Sequence, residues 1–416
     1  MRKIRVYDDS LSVEVMQYLA ASGAVPRKNL YTPFVGYAYR YYARVIKRLL
    51  DEGYLELFRQ GRLNHVKITP KGEGVLKDKL EDDVQFLPKN KTGTAKRKRR
   101  QSLVADVIGL CEANGMVISA AAKPNLAQLY GSAPEEKKKD FVAQLEKGIF
   151  YSSGEIRQAY MQVMGNNEIA NWSRLVGIVL LKDNLTFIYS VNQSLIKWMA
   201  GSEDRTVRFI IQFLRKSELL QSQIRFFEHP SCIVCGRGMS MIPKIVTGRK
   251  WGRVSEDDGS ERYKAKIARD HINSHNLAKV FSAAYFVTAD RNGVENFRFA
   301  ALLNEDVKER LCDQWFSSVA TATRVKAFDY HQGLTAKRER VVYMPYMDLI
   351  ELEFYKRQGE PCHFVIPAKT QDAVARVMGP LLLSAQSLKG VKLKYNQYDA
   401  LGALIKPGTA QTAQKG

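Results

Sequence analysis

The chain has 416 residues and a formal net charge of +21 at neutral pH, because 64 lysines and arginines outnumber 43 aspartates and glutamates. A balance this positive attracts polyanions at long range, so nucleic acid or an anionic membrane surface is the expected partner. The sequence has no run of about 18 uncharged apolar residues and no apolar signal segment at its N-terminus. Five cysteines, an odd number, argue against a disulfide framework. We therefore expect a cytoplasmic protein of about two to four domains that does not enter a membrane.

The clearest local pattern lies between Gly36 and Leu76. Apolar residues there recur at three- and four-residue spacing, which is typical of one buried helix face. Those residues are Ala38, Tyr42, Val45 and Leu49. Gly53 predicts the end of this helix in a left-handed conformation, and Pro70 predicts the first turn of another helix, where its missing N–H costs nothing. The predicted strands between them are Tyr54–Phe58 and His65–Thr69. Upstream, Val13–Ala21 is a predicted helix and Pro26–Leu30 is the predicted start of a short second helix.

A second stripe on the same helix is basic and aromatic, with Tyr37, Arg40, Arg44 and Lys47 as its members. An α-helix fits the major groove of B-DNA, where arginine and lysine reach phosphates or guanine edges. Tyrosine contacts phosphates or thymine methyl groups. The predicted DNA contacts of this helix and of the following hairpin are Tyr37, Arg40, Tyr41, Arg44, Lys47, Arg59 and Arg62. Two alternatives stay open, namely that the stripe is only a solvated helix face and that the tyrosines pack within the fold.

Helix, hairpin and helix in this order resemble a winged helix-turn-helix. The segments LLDEGYLE (residues 49–56) and ITPKGEGVL (residues 68–76) are similar to those that close the recognition helix and the wing in bacterial regulators of that superfamily. The resemblance covers roughly the first fifth of the chain. It implies an α+β N-terminal domain over residues 1–85 that docks on double-stranded DNA. A winged helix that contacts protein instead is a third alternative.

Residues 86–101 have the composition of a basic linker and include five consecutive cations, Lys96, Arg97, Lys98, Arg99 and Arg100. A run of like charges repels itself, so we expect an extended segment. Next to a DNA-binding module it can lie along the DNA backbone and add salt-sensitive affinity. A nuclear localisation signal or a solubilising linker would have the same composition.

The rest of the chain divides into a helical region with a β-hairpin at 102–225, an α/β region at 226–403 and a flexible tail at 404–416. The hairpin is predicted from two apolar runs around Lys182-Asp183-Asn184, which is good turn chemistry. A strand is predicted at Phe297–Leu302. Strands and helices then alternate, which favours a mixed or parallel sheet. The alternating segments are Arg340–Tyr346, Asp348–Arg357, Cys362–Pro367 and Thr370–Met378.

Three carboxylates follow a predicted strand of the α/β region and are the candidate catalytic residues: Asp348, Glu351 and Glu353, with Lys356 after them. Convergent carboxylates that hold Mg²⁺ are what a metal-dependent nuclease needs. Asp348 is equally suited to be a helix N-cap, with Glu351 completing a capping box. Whether the chain is an enzyme therefore stays open. We expect no cofactor other than the Mg²⁺ that the nuclease alternative requires.

Two further motifs allow a functional and a structural interpretation. Cys232 and Cys235 form a single C-x-x-C, to which only His271 and His275 could add zinc ligands, so we expect buried cysteines and no metal. The Gly236-Arg237-Gly238 turn follows a predicted strand, as phosphate-binding turns do, but it lacks the third glycine of a dinucleotide site and the Gly-Lys-Ser/Thr of a P-loop. We interpret it as a structural turn.

The order of a winged helix, a hairpin-bearing region and an α/β region is similar to that of proteins encoded on plasmids and integrative elements, including the replication-relaxation family. The resemblance implies a role in replication, transfer or transcription control of a mobile genetic element. The alternative is a nuclease or a nucleotide-using DNA-processing factor with its site in the α/β region. The paired histidines of relaxases are absent from the sequence. A homo-oligomer is left open.

Overall fold

The computed structural model describes residues 10–60, 63–80, 95–118, 122–130, 135–165, 173–191, 195–224, 230–255, 261–267, 269–318, 322–325 and 332–387. These residues form three sheets, of three, five and five strands, together with a separate two-stranded ribbon. Helices cover the faces of the sheets, so the chain is a mixed α/β protein. Within the described residues, none of the helices combines the length and the apolar composition needed to span a bilayer.

The N-terminal unit, residues 10–60 and 63–80, is built around an antiparallel sheet with strand order β1-β3-β2. Its elements are α1 (Ser10–Ser22), β1 (Ala24–Pro26), α2 (Tyr39–Asp51), β2 (Leu55–Gln60), β3 (Leu63–Ile68) and α3 (Pro70–Leu80). The predicted helix, hairpin and helix are therefore confirmed as elements. Gly53 follows α2 with a φ of 75°, the left-handed conformation that the sequence predicted.

One short element of this unit differs from the prediction. The short helix expected to start at Pro26–Leu30 does not start there, and a 3-10 turn at Thr32–Phe34 follows instead. Pro33 occupies the first turn, where its missing N–H is tolerated. The amides of Asn29 and Thr32 bond to the carbonyls of Pro26 and Asn29, respectively, so this segment is a series of turns.

The next helix, α4 (Ala95–Ala113), corrects the prediction for the basic run. Residues 96–100 lie in its first turns and are helical rather than extended. The apolar residues that follow in the same helix pack onto the N-terminal unit, and this packing supports helix formation upstream of them. The Tyr18 hydroxyl donates to the carbonyl of Ala105 at 2.9 Å. The part of residues 86–101 that the structure describes is thus the beginning of a packed helix.

The second sheet has the strand order β10-β7-β6-β5-β4. β4, β5 and β6 are antiparallel, whereas β6, β7 and β10 are parallel. The predicted hairpin is confirmed as β5 and β6, with Asp183 in its turn. The elements from α5 to β10 are α5 (Glu135–Lys147), β4 (Ile149–Ser152), α6 (Ser153–Met164), β5 (Leu175–Leu181), β6 (Asn184–Ser190), α7 (Ala200–Arg215), α8 (Glu218–Gln223), β7 (Ser231–Gly236), α9 (Met241–Thr247), β8 (Arg249–Ser255), β9 (Glu261–Ile267), α10 (Ser274–Leu277) and β10 (Ala283–Thr288).

The third sheet has the order β11-β12-β13-β14-β15 and repeats the directions of the second. Its first three strands are antiparallel and its last three are parallel. The expected mixed sheet is therefore present. The remaining elements are α11 (Val294–Leu302), α12 (Glu305–Ser318), β11 (Ala322–Arg324), β12 (Gln332–Thr335), β13 (Arg340–Tyr343), α13 (Leu349–Gln358), β14 (Cys362–Ile366), α14 (Gln371–Met378) and β15 (Leu382–Ser387).

The strand predicted at Phe297–Leu302 is wrong, because these residues form most of α11. The segment is short and almost entirely apolar, and periodicity alone cannot separate a buried strand from a buried helix in such a run. Its two alanines, Ala300 and Ala301, favour the helix. The helix packs against the second sheet, and its exposed polar residues Glu295 and Asn296 precede the predicted segment, which contains only one polar residue, Arg298.

The second sheet separates two large hydrophobic clusters, and alternate residues of its strands face opposite sides. On β6, Ile188 faces the cluster shared with the N-terminal unit and α4, whereas Phe187 and Tyr189 face the other cluster. That other cluster continues through α9 and α13 into the third sheet, where it includes Phe364. The core beneath the N-terminal unit is therefore continuous with one face of the second sheet.

Candidate nucleic-acid interface

Helix α2 has one buried face and one cationic face. Tyr42, Val45 and Leu49 are buried, as their spacing predicted, and Ile46 is buried with them. Ala38, the fourth residue of the predicted apolar stripe, is instead the exposed N-cap of the helix. Arg40, Arg44 and Lys47 are exposed. Their four- and three-residue intervals place them along one stripe of the helix, directed away from the core. The structure therefore brings these three predicted contacts together on one accessible surface, which we call the α2 stripe.

Exposed apolar and aromatic side chains surround the start of α2. Tyr39 is 62% exposed, Tyr41 is 39% exposed and Val35 is 38% exposed. Ala38 is the N-cap and no side chain caps the helix there, so the first backbone amides of α2 are not occupied by a capping group. Tyr39 was not among the sequence-predicted contacts, since it lies beside the counted stripe and not on it. Its exposure is the feature that identifies it.

Tyr37 has a role within the fold. Its hydroxyl donates to the Glu14 carboxylate, at 2.9 Å from Oε1 and 3.0 Å from Oε2. Its carbonyl accepts from the Tyr31 hydroxyl at 2.6 Å. Its ring is partly buried against the core of the N-terminal unit. Tyr37 therefore fits the alternative in which a tyrosine packs within the fold, and not the predicted DNA contact.

The β2–β3 hairpin adds one predicted contact that the structure describes. Arg59 is exposed on β2, and Leu57 of the same strand is 46% exposed. Arg62 lies outside the described residues. Lys67 forms an ion pair with Glu56, which is directly opposite in the strand register, so this cation is compensated within the hairpin.

The other cations predicted to contact DNA are Lys96, Arg97, Lys98, Arg99 and Arg100. Their backbone belongs to α4, and their side chains lie outside what the structure describes. Helical backbone places successive charges around the helix axis rather than along one extended line. Contacts with a continuous stretch of DNA backbone, as predicted for an extended arm, would thus involve only some of these five residues at once.

A buried ion pair holds the N-terminal unit and α4 against the second sheet. Asp106 of α4 accepts a hydrogen bond from Asn29 Nδ2 at 2.6 Å through Oδ1. Its Oδ2 accepts from Arg237 at 3.0 Å and 3.1 Å, and Arg237 also donates to Ser102 Oγ at 2.8 Å. Burial raises the pKa of Asp106, although the Arg237 guanidinium opposes the rise.

This network accounts for the Gly236-Arg237-Gly238 turn. The arginine of the turn is a structural cross-link to α4, which agrees with the interpretation as a structural turn. Sequence reasoning missed the pair because its two members belong to separate elements with no shared periodicity. A charged residue between two glycines after a buried strand was the only available signal.

The candidate catalytic carboxylates do not converge on an open site. Asp348 is 2% exposed and caps α13, with Oδ1 accepting from Ile350 N at 2.9 Å and from Ala284 N at 3.3 Å. Glu351 is 1% exposed and accepts from the Tyr355 hydroxyl at 3.2 Å. The expected N-cap is present, although the Glu351 carboxylate is directed to Tyr355.

Burial, followed by the charge of Glu351, raises the pKa of Asp348 to about 7. Glu353 instead forms an ion pair with Arg357 at 2.9 Å. Among the described residues, no group of three histidine, cysteine, aspartate or glutamate side chains is arranged to hold a metal ion. The geometry of these three carboxylates is thus that of a helix cap and two partnered side chains.

The cysteines and histidines of the possible zinc set are also separated. Cys232 and Cys235 are fully buried in β7 and face opposite sides of the sheet, since they belong to different hydrophobic clusters. His271 Nδ1 lies 2.8 Å from Asp270 Oδ1, and His275 Nδ1 lies 2.8 Å from Arg357. Burial raises the pKa of both thiols above the ordinary value. These residues fit the expectation of buried cysteines.

Comparisons with protein-family models, with curated proteins and with solved structures each find no match to this chain. The class that the fold defines is a mixed α/β protein with partly parallel sheets. Any more specific assignment rests on the geometry of the chain itself, and above all on the α2 stripe.

Proposed function

We propose that this chain binds duplex DNA through a winged helix, with α2 in the major groove and the β2–β3 hairpin as the wing. The observation that carries the proposal is the α2 stripe, in which Arg40, Arg44 and Lys47 share one exposed face opposite the buried one. Guanidinium and ammonium groups on one side of a helix match phosphates and guanine edges along a groove.

The topology of the N-terminal unit supports the proposal. Its helix α1, short strand β1, 3-10 turn, helix α2 and hairpin follow the element order of a winged helix, and β3 lies between β1 and β2 in the sheet. This order sets the hairpin beside the end of α2, because only Glu52, Gly53 and Tyr54 separate the two elements. A duplex on α2 would therefore meet Arg59 as its nearest wing residue that the structure describes.

The exposed rings at the start of α2 suit the groove floor. Tyr39 and Tyr41 supply apolar ring edges for thymine methyl groups and hydroxyls for phosphates. The uncapped amides at the helix start carry partial positive charge and favour a phosphate nearby. In this proposal the cations contribute most of the affinity for DNA, and the tyrosines contribute part of the sequence preference.

We also propose that the protein acts in replication, transfer or transcription control of a mobile genetic element. This part of the proposal is supported only by the order of the regions in the sequence. If the winged helix contacted protein instead, its exposed surface would be expected to have a different composition. A protein-binding surface is depleted of lysine at its centre, whereas the α2 stripe includes the exposed Lys47 and no carboxylate.

The test is duplex binding by the Arg44→Ala/Lys47→Ala variant over a salt series. The matched control is Lys139→Ala/Lys147→Ala, which removes the same charge from exposed positions of α5. We expect the α2 variant to bind about tenfold or more weakly and to lose about one unit of salt slope for each phosphate contact. The control should retain both values. Equal behaviour of the two variants would overturn the proposal.

A further inference from the structure

The aromatic rings around the start of α2 form a connected series that ends at the surface. Tyr18 contacts Phe34 with ring centroids 5.8 Å apart, and Phe34 stacks on Tyr42 at the same distance. Tyr31 contacts Tyr42 at 4.8 Å and Tyr39 at 5.2 Å. Tyr18, Phe34 and Tyr42 are buried and Tyr31 is half-buried, whereas Tyr39 is 62% exposed. The series therefore runs from the core of the N-terminal unit to one exposed ring.

Tyr39 is held in place although it is exposed. Its ring meets the ring of Tyr31 at 84°, which is the edge-to-face arrangement that aromatic pairs favour. The Tyr31 hydroxyl donates to the carbonyl of Tyr37 at 2.6 Å, so the ring of Tyr31 is itself fixed. An edge-to-face contact covers at most one face of Tyr39. This residue therefore presents a ring face to solvent in a nearly fixed orientation, which lowers the entropy that a ligand must remove on binding.

Two exposed cations, Arg27 and Lys28, lie in the turn that follows β1. The amide of Arg27 donates to the carbonyl of Asn64 at 2.9 Å, which fixes this turn against the hairpin. Burial raises the pKa of the Tyr42 hydroxyl, the neighbouring Tyr39 adds to the rise, and the Arg27 guanidinium opposes it. Arg27 thus lies close to the outer rings of the series. In the part of the chain that the structure describes, it forms no ion pair.

We infer that Tyr39, Tyr31 and Arg27 bind an unpaired nucleotide of the DNA that α2 holds. We call these three residues the Tyr39 platform. The inference rests on the proposed function and names its substrate class, which is duplex DNA that adjoins an unpaired stretch. The base stacks on the open face of Tyr39, and the Arg27 guanidinium binds the phosphate of the same strand. Tyr31 is a positioning residue that holds Tyr39.

The open ring face favours an unpaired base over a paired one. Within a duplex the faces of each base are covered by its neighbours, so only its edges are available to a protein in the groove. An unpaired base can leave the stack and place its own face on an aromatic ring, whatever its sequence. Tyr39 can offer its ring edge to a thymine methyl group of a fully paired duplex, but its face has a partner only where a base is unpaired.

The charge around the Tyr39 platform favours a nucleotide over an apolar protein segment. Arg27 lies near the rings, Arg40 directly follows Tyr39 in the helix, and the first turn of α2 contains no acidic residue. Aromatic rings beside cations match a single strand of nucleic acid, in which every base carries a phosphate. An acidic protein segment is the competing occupant, and a comparison of two DNA molecules separates the two.

The first measurement uses the full-length protein on a random-sequence duplex of about 30 base pairs and on the same duplex with about ten unpaired nucleotides continuing one strand. We expect the second DNA to bind about fivefold to a hundredfold more tightly, which is the size of the effect of stacking one base on an aromatic ring. Tyr39→Leu removes the aromatic face and should lose this preference, whereas Tyr39→Phe should keep it. Tyr41→Leu, which removes another exposed ring of α2, is the matched control and should keep it.

The second measurement addresses the phosphate contact. Arg27→Ala should lower the salt slope on the DNA with the unpaired stretch by about 0.7 units, the value for one phosphate of a single strand. The slope on the fully paired duplex should stay nearly unchanged. Arg205→Ala removes an exposed arginine of α7 and should change neither slope. An equal loss of slope on both DNA molecules would assign Arg27 to the duplex and overturn its place in the Tyr39 platform.

The outcomes separate this inference from the proposed function. Equal affinity of the unchanged protein for the two DNA molecules would overturn the inference and leave the rings to a protein partner. A preference that survives Tyr39→Leu would overturn it too, because another part of the chain would then bind the unpaired strand. The Arg44→Ala/Lys47→Ala variant tests the winged helix on the paired duplex. If that variant binds like its control while Tyr39→Leu loses the preference, the winged-helix proposal falls and the Tyr39 platform stands as a nucleotide contact.

Discussion

Asp106 and Arg237 are 131 residues apart in the chain, and their side chains meet at 3.0 Å with almost no exposure to solvent. One belongs to the helix that follows the N-terminal unit, and the other belongs to the turn after a central strand of the second sheet. Asn29 completes the network from the N-terminal unit. The pair therefore ties the proposed DNA-binding helix and its supporting core to the rest of the chain.

Removing one member of this pair should destabilise the fold strongly. Arg237→Ala leaves a buried carboxylate without its cation, which typically costs about 3–5 kcal/mol. Chemical denaturation measures the change in the free energy of unfolding. Arg291→Ala, which removes an exposed arginine, is the control and should cost little. A change below about 1 kcal/mol for Arg237→Ala would show that water or another group replaces the guanidinium.

Two neighbouring tyrosines should separate stability from DNA binding. Tyr37→Phe removes the hydroxyl that donates to Glu14, and hydrogen bonds to charged groups contribute about 1.5–3 kcal/mol. We expect lower stability and nearly unchanged DNA affinity. Tyr39→Ala removes a ring that is 62% exposed, so we expect weaker binding at nearly unchanged stability. Thermal unfolding and a binding titration on both variants measure the two effects; the reverse pattern would assign Tyr37 to the interface.

The stability of the fold should decrease with pH because of Asp348. Its pKa is raised to about 7 in the folded chain, and an ordinary aspartate in the unfolded chain has a pKa of about 3.9. Between the two pKa values, the folded chain keeps the Asp348 proton and the unfolded chain does not. The folded state is therefore most stable below the pKa of the unfolded chain, and this stabilisation is lost as the pH rises to about 7.

Asp348→Asn is the variant that isolates this contribution. Asparagine is a good N-cap and its side-chain oxygen can accept from Ile350 N as the aspartate does. We expect the variant to gain stability relative to the unchanged protein as pH rises from 5 to 8, measured by urea denaturation. Asp140→Asn, at an exposed position of α5, should show no such trend. Mg²⁺-dependent DNA nicking that this substitution abolished would instead support a catalytic carboxylate.

A buried lysine near the second sheet should also be essential for stability. Lys123 has 1% of its side chain exposed, and its ammonium contacts Glu155 Oε1 at 2.7 Å. It also donates to the carbonyls of Ile118 at 2.7 Å and Phe150 at 2.6 Å. Lys123→Met keeps much of the apolar volume but leaves these acceptors unsatisfied, at a cost of about 3–5 kcal/mol. Full stability of this variant, measured by thermal unfolding beside Lys139→Met, would mean that the acceptors find other donors.

Elements whose boundaries depend on nearby residues were predicted well. The end of α2 at Gly53, the start of α3 at Pro70 and the Asp183 turn follow from local backbone preferences, and the structure has them all. The helix of α13 and its Asp348 cap follow in the same way. The alternation of apolar residues in strands and their three- and four-residue spacing in helices reflect which side of an element is buried. These patterns can therefore be read from the sequence alone.

Features that depend on distant contacts were missed or mistaken. The apolar segment of α11 gave no polar face, so its helix resembled a strand. The basic run was expected to be extended, because the stabilising contact of α4 with Tyr18 is not local. For the candidate interface, spacing identified Arg40, Arg44 and Lys47, but it could not reveal that the Tyr37 hydroxyl is taken by Glu14. The partner of a polar group is a property of the fold.

The continuous core beneath the N-terminal unit has a mechanical consequence. The cluster that supports α2 includes Val45 on that helix and Ile188 on the second sheet, so the helix has no independent hydrophobic base on which to turn. A twisting or bending force on α2 would be transmitted through this packing to the second sheet. If α2 binds a duplex as proposed, the orientation of that duplex relative to the second sheet would be fixed by this packing.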